Sequence, residues 1–200
     1  MKKYVVTIAI FLVCLFTAYF IIRSGRYDPK RRVEFNYGTD IDLACVKFNI
    51  NPNFVKALCV LESSGIKPSG KRFEPHVYKA LKKLKQKKIA KYGIINSTML
   101  KDASDEALRN LATSWGPFQL MGYKCFELGI KVSDIRGDDS IDWSVKWISQ
   151  SYGNYLREDK YADAFHIHNT GKPIPKSGHH LTYNKSYVKD GLKYMDYFEH

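Results

Sequence analysis

Apolar positions fall into three regimes along this chain. From Tyr4 to Ile22 there are 19 consecutive residues without a charge, with Thr7 and Thr17 as the interruptions. At about 1.5 Å per helical residue the run reaches roughly 28 Å, close to the hydrocarbon thickness of a bilayer. Residues 27–38 are charged and show no period, which predicts an irregular spacer. From residue 39 onward the spacing is helical. Thr39-Asp40 caps a short helix over Ile41–Val46. The next helix starts at Asn51-Pro52-Asn53, carries Val55, Leu58, Cys59 and Leu61 on one side, and stops at Ser63-Ser64-Gly65.

A helix over Tyr78–Lys91 sets a thin apolar side (Leu81, Leu84, Ile89) under seven lysines. Ser104-Asp105-Glu106 opens another through Leu108 and Leu111, with its acids at the favourable end of the dipole. Helical patterns recur at 117–128, 141–157, 159–167 and 184–198. Strand-like alternation is confined to 71–78 and 92–96. The pattern predicts a mainly α domain over 39–200 with a minor β element, preceded by one N-terminal transmembrane helix.

Segment 1–26 reads as an uncleaved signal-anchor. No small-x-small cleavage site follows its apolar run, and the bulky Val13 before Cys14 argues against a lipoprotein. Basic residues on the far flank (Arg23, Arg26, Lys30, Arg31, Arg32) outnumber Lys2 and Lys3, which by charge alone keeps the domain cytoplasmic. Four of the 32 basic residues lie in 1–26, so the remainder holds 28 against 20 acids, a net +8. With 44% hydrophobic residues overall, disorder and a multi-span membrane protein are both excluded. Of four cysteines, Cys14 lies in the apolar run. Cys45 and Cys59 sit in successive helices, where they are bridged in an oxidising compartment or simply buried, like Cys125.

Three constellations carry chemistry. Glu62 closes an otherwise apolar helix. Burial and the negative end of the helix dipole would both favour its protonated form, as a general acid requires; the alternative is a glutamate facing water. Ser114-Trp115-Gly116-Pro117-Phe118-Gln119-Leu120-Met121-Gly122-Tyr123 places a Gly-Pro break so that Trp115 and Gln119 are presented at a turn. An amide and aromatic faces suit a sugar polymer, though core aromatics beside a turn have the same look. Phe165-His166-Ile167-His168-Asn169-Thr170-Gly171 holds two histidines that lack further partners at metal-ligand spacing, so neither a metal nor another cofactor is expected. His179-His180 reads as a loop pair.

Taken together, the Glu-Ser-Ser-Gly turn, the later Gly-Pro-Phe-Gln-Leu-Met and the late Ala-Phe-x-x-x-Asn-x-Gly resemble lysozyme-like peptidoglycan-cleaving enzymes, including the lytic transglycosylases and goose-type lysozymes. The match is closer to the N-acetylmuramidase family of phage endolysins and bacterial lytic proteins. That family's Phe-Glu-x-His-x-aromatic element stands here as Phe73-Glu74-Pro75-His76-Val77-Tyr78. Its Ser-Trp-Gly-x-x-Gln-x-Met-Gly element is complete from Ser114 to Gly122. Its C-terminal Tyr and Lys element is similar to Tyr183-Asn184-Lys185-Ser186-Tyr187.

The resemblance implies a lysozyme-like α+β fold, Glu62 as catalytic acid, and a glycan groove lined by Phe73, Glu74, His76, Gln119, Met121 and Asn169. Trp115 and Tyr183 join these as substrate-binding candidates. Two departures stand out. His168 occupies a position where the family has Tyr, and Lys172-Pro173-Ile174-Pro175-Lys176 replaces a shorter glycine-rich turn.

Cleaving the β-1,4 bond after N-acetylmuramic acid requires protonation of the leaving oxygen. Glu74 is the foremost second carboxylate, with Asp102, Asp105 and Glu106 behind it. Attack by water makes a muramidase, and attack by the sugar's own hydroxyl makes a lytic transglycosylase. A peptidoglycan-binding module without catalysis is a third reading. The basic surface suits an anionic wall. No nucleic-acid-binding motif is visible, so nucleic acid is not an expected partner. This chemistry places the domain on the periplasmic or wall side of the cytoplasmic membrane, against the flank charges. The implied partners are peptidoglycan, the membrane through the N-terminal helix, and a wall-spanning assembly that the sequence does not name.

Overall fold

The computed structural model describes residues 13–16 and 28–200. Residues 13–16 are helical and exposed. The membrane anchor read over 1–26 otherwise lies outside the described residues. Among the described residues no helix is long and apolar enough to cross a membrane.

Residues 29–38, expected to be irregular, are helical. The Asp28 side chain accepts from the Lys30 amide at 2.9 Å, and Pro29 takes the first helical position of α1 (Pro29–Val33). The chain continues through a π-helical turn (Glu34–Gly38) into α2 (Thr39–Phe48). Val33 and Tyr37 are the buried apolar side chains that dock this stretch, while Phe35 between them faces outward. Two buried side chains one turn apart are too few to make a periodic signal, which is why the charges dominate the sequence pattern.

Helix α3 (Pro52–Ser63) is the axis of the main core. Asn51 caps it by accepting from the Asn53 amide at 2.9 Å, and it ends in two left-handed residues, Ser64 (φ 53°) and Gly65 (φ 65°). Phe54, Val55, Ala57, Leu58 and Cys59 are fully buried. Burying a side chain such as Phe54 or Leu58 contributes about 2–3 kcal/mol. Around α3 pack α1, α2, α7 (Ser140–Arg157), α8 (Tyr161–Thr170) and α9 (Tyr187–Glu199). Cys45 and Cys59 are not bridged. They and Cys125 are buried free thiols, and burial pushes Cys45 and Cys59 up to about 12.

The middle of the chain builds a second, smaller core. Its elements are β1 (Arg72–Phe73), α4 (Pro75–Lys85), a hairpin of β2 (Lys91–Tyr92) and β3 (Ile95–Asn96), and α5 (Asp105–Leu111) capped by Ser104. Then come β4 (Thr113–Trp115), β5 (Leu120–Met121) and the one-turn α6 (Cys125–Leu128). Strands β1, β4 and β5 form an antiparallel sheet in that order, with Phe73 opposite Thr113 and Trp115 opposite Leu120.

The helix expected over 117–128 is therefore mostly absent. Gly116 (φ 75°) and Gln119 (φ 49°) turn the chain back, and pairing of β5 with β4 overrides the helical spacing. The tip of this hairpin ties the cores together. Phe118 belongs to the main core, Leu120 to a small cluster with Trp115, Leu128 and Ile135, and Met121 packs on the second core.

Candidate active site

Glu62 occupies the last turn of α3, where its side chain is about one-sixth exposed (17%). The phenol of Tyr187, at the start of α9, donates to Glu62 Oε1. His168 Nε2 lies 3.9 Å from the same oxygen. Tyr187 is buried and its own proton is held tightly: desolvation and the nearby Glu62 charge both push its pKa well above 10.

The state of His168 is set by its partners. Nε2 is 3.2 Å from the Phe118 carbonyl, an acceptor only, so Nε2 carries a proton and donates it. Nδ1, 2.7 Å from the Tyr152 hydroxyl, is then the acceptor. Burial lowers the His168 pKa below 6.5, and Glu62 and the Phe118 carbonyl oppose that shift without reversing it. A neutral imidazole thus stands beside the carboxyl.

Tyr152 is fully buried and breaks the regularity of α7 (φ −148°, ψ 22°), next to Gly153. Trp147, Tyr152 and His168 pack edge to face with ring centroids 5.9–6.1 Å apart.

From His168 the site continues through the hairpin. Phe118 supplies the carbonyl, and the next residue, Gln119, uses its amide inward. Its Nε2 donates to the carbonyls of Gly70 (2.9 Å) and Gly116 (3.1 Å), and Ser114 Oγ donates to its Oε1 at 2.8 Å. Gln119 thereby joins the loop after α3 to the sheet. Met121, opposite Ser114, is half-buried. Strand β1 carries Phe73 and leads to Glu74, whose amide donates to the Ala112 carbonyl at 2.8 Å. Glu74 Oε1 is gripped by Arg72 through Nε (2.6 Å) and Nη2 (2.5 Å), and Oε2 lies 3.5 Å from the exposed His76. Phe73 and Tyr78 lie 5.7 Å apart, with the Arg109 guanidinium over both rings.

One candidate, Trp115, is not presented as expected. Trp115 is buried (7% exposed), its indole N–H donates to the Asn110 carbonyl at 3.0 Å, and Arg136 covers its ring at 4.3 Å. Its faces are occupied by protein, so the turn does not present it to a sugar. Tyr183 is fully exposed in the loop before α9, and the tyrosine that reaches Glu62 is Tyr187, one helical turn later. Asn169, beside His168, is exposed at the end of α8.

Asp105, behind Glu74 as a second carboxylate, is held by Tyr78 and by Arg109 Nε at 3.0 Å. His166 is a structural residue. Its Nε2 accepts from the Leu181 amide (2.9 Å) and its Nδ1 is 2.6 Å from the Lys172 carbonyl, so it fastens both ends of the long 172–181 loop. Among the described residues no group of three or more His, Cys, Asp or Glu side chains is arranged to hold a metal ion.

The fold has a solved counterpart. The crystal structure of the Burkholderia AP3 phage endolysin superposes with a TM-score of 0.55 at 20% identity, covering 86% of this chain and 78% of that one. The two share a fold. No family model matches the sequence, and no curated protein matches it.

The residues that sequence reasoning missed are Tyr187 and Tyr152. Tyr187 belongs to the Tyr183–Tyr187 element, but spacing alone does not say which tyrosine turns inward. His168, which enters the sequence pattern only as a departure, is the imidazole beside the carboxyl.

Proposed function

We propose that this protein cleaves the glycan strands of peptidoglycan at the β-1,4 bond between N-acetylmuramic acid and N-acetylglucosamine, with Glu62 as general acid. The observation that carries the reading is the Glu62 carboxyl itself. It is half-buried at a helix end, bonded on one oxygen by Tyr187 and flanked by a neutral histidine. A fold shared with a phage endolysin supports the same reading, as do the sequence elements around Phe73–Tyr78 and Ser114–Gly122.

In this mechanism Glu62 gives its proton to the leaving glycosidic oxygen as the sugar develops oxocarbenium character. Phe73, His76, Met121 and Asn169 are the groove residues that remain at least partly exposed, and Gln119 holds the hairpin that shapes the groove. Glu74 is neutralised by Arg72, which suits a structural or sugar-binding role better than nucleophilic attack. Water then attacks, giving a muramidase. The same pairing of Glu74 with Arg72 favours a second reading. With Glu74 so engaged, the muramic acid hydroxyl attacks in place of water and leaves a 1,6-anhydro end. The apolar run Tyr4–Ile22 supports a membrane tether, and the peptidoglycan substrate, against the flank charges, puts the domain on the periplasmic or wall side of the cytoplasmic membrane.

The test is a digest of purified peptidoglycan by the full chain and by its Glu62→Gln variant, with fragments weighed by mass spectrometry. Reducing muramic ends that vanish in the variant are expected. Fragments lighter by one water select the transglycosylase, and no fragments from the parent protein overturn catalysis in favour of binding alone.

A further inference from the structure

The helix that presents Glu62 stops abruptly, and the turn beyond it is held by a different part of the chain. Ser64 and Gly65 are both left-handed, so the carbonyls of Ser64, Gly65 and Ile66 leave the helix axis and need partners. All three find them on one short stretch. Arg32 Nε donates to the Ser64 carbonyl (3.0 Å), Asn36 Nδ2 to that of Gly65 (2.7 Å) and Tyr37 OH to that of Ile66 (2.8 Å).

The spacing of these donors, i, i+4 and i+5, fits the π-helical turn over Glu34–Gly38. Its wider winding sets Arg32 and Tyr37 one turn apart, and such insertions recur at functional positions. Contact between the two segments is close. A methyl group on Gly65 would lie 2.7 Å from the Val33 amide nitrogen. The hold is also reciprocal, because Lys67 Nζ donates to the Asn36 carbonyl at 3.3 Å. Lys56, on α3, bridges Glu34 (3.1 Å) and Asp42 (3.0 Å), and so fixes the π turn to the helix of the acid.

We propose that Arg32, Asn36 and Tyr37 are positioning residues for Glu62. Their three donors lock the turn two to four residues beyond the acid, and so set the carboxyl against Tyr187 and His168. This inference rests on the reading of Glu62 as the catalytic acid.

The test uses the full chain in detergent and two variants, Tyr37→Phe and the double variant Asn36→Ala with Tyr37→Phe. Cleavage of soluble glycan fragments gives kcat and KM separately, thermal unfolding reports the folded fraction, and nitrogen-15 resonances of the His168 ring report the surroundings of Glu62. For the double variant we expect kcat to fall roughly ten- to a hundred-fold with KM within about twofold. The protein stays folded at the assay temperature, and the His168 resonances move.

Unchanged kcat and unchanged His168 resonances in the folded double variant overturn the proposal. So does a loss of activity that only tracks the unfolded fraction. If the parent protein cleaves nothing, the reading of Glu62 as an acid falls. The His168 resonances then still decide the clamp, since movement in a folded variant upholds it and stillness overturns it.

Discussion

The hydroxyl of Tyr187 donates to Glu62 Oε1 across 125 residues of chain, joining the first turn of α9 to the last turn of α3. A hydrogen bond to a carboxylate is worth about 1.5–3 kcal/mol when its donor is removed. In Tyr187→Phe the ring still fills its place while the carboxyl loses its holder. Cleavage is expected to fall at least roughly tenfold. The thermal midpoint should drop by about 3–12 °C, at about 2–4 °C per kcal/mol. Calorimetry beside the fragment assay checks both.

His168 makes stability depend on pH. Its folded pKa is lowered by burial, so between that value and its ordinary 6.5 the unfolded chain holds the extra proton. Unfolding is then favoured as pH falls, and the contribution of this histidine is intact above 6.5 and lost through the folded value. Urea unfolding at about pH 7.5 and about pH 5 should show a smaller loss in His168→Gln than in the parent, because the glutamine cannot charge. An equal loss in both proteins would assign the acid sensitivity elsewhere.

Gly122 sits where nothing larger fits. A methyl group there would lie 2.1 Å from the Asn110 carbonyl oxygen and 3.0 Å from the Leu111 Cα, both backbone atoms. Gly122→Ala must push α5 and the hairpin apart. A cost of about 3 kcal/mol is expected from this overpacking, read as a lower urea midpoint.

Cys45, Cys59 and Cys125 should resist alkylation in the folded protein and react in denaturant. Burial lifts them to about 12, 12 and 11, so almost no thiolate exists at neutral pH. Intact mass after iodoacetamide treatment, with and without urea, reads the count. A reductant should leave the thermal midpoint unchanged.

The helices that carry their own punctuation are legible in the sequence. Asn51-Pro52 starts α3, Ser63-Ser64-Gly65 ends it, and Ser104 caps α5, each by a local hydrogen bond or a left-handed turn. The hairpin at 113–121 is not legible, because its strands are two or three residues long and owe their form to pairing with each other and with β1. The π-helical stretch is hidden for the opposite reason. Its partners are carbonyls of a distant turn, and a carbonyl leaves no mark in a residue pattern. In the candidate site, Glu62 can be read from its place at the end of an apolar helix. The inward turn of Tyr187 depends on how α9 lies on α3, which only the assembled fold specifies.

That α9 is the last described element to be synthesised has a consequence for the cell that makes the protein. A nascent chain acquires Glu62 early and Tyr187 late, and until α9 emerges one side of α3 lacks its cover. A half-made chain therefore carries the Glu62 carboxyl without its holder. The pairing of Glu62 with Tyr187 arrives only once α9 has been made, and a product truncated before that helix lacks it.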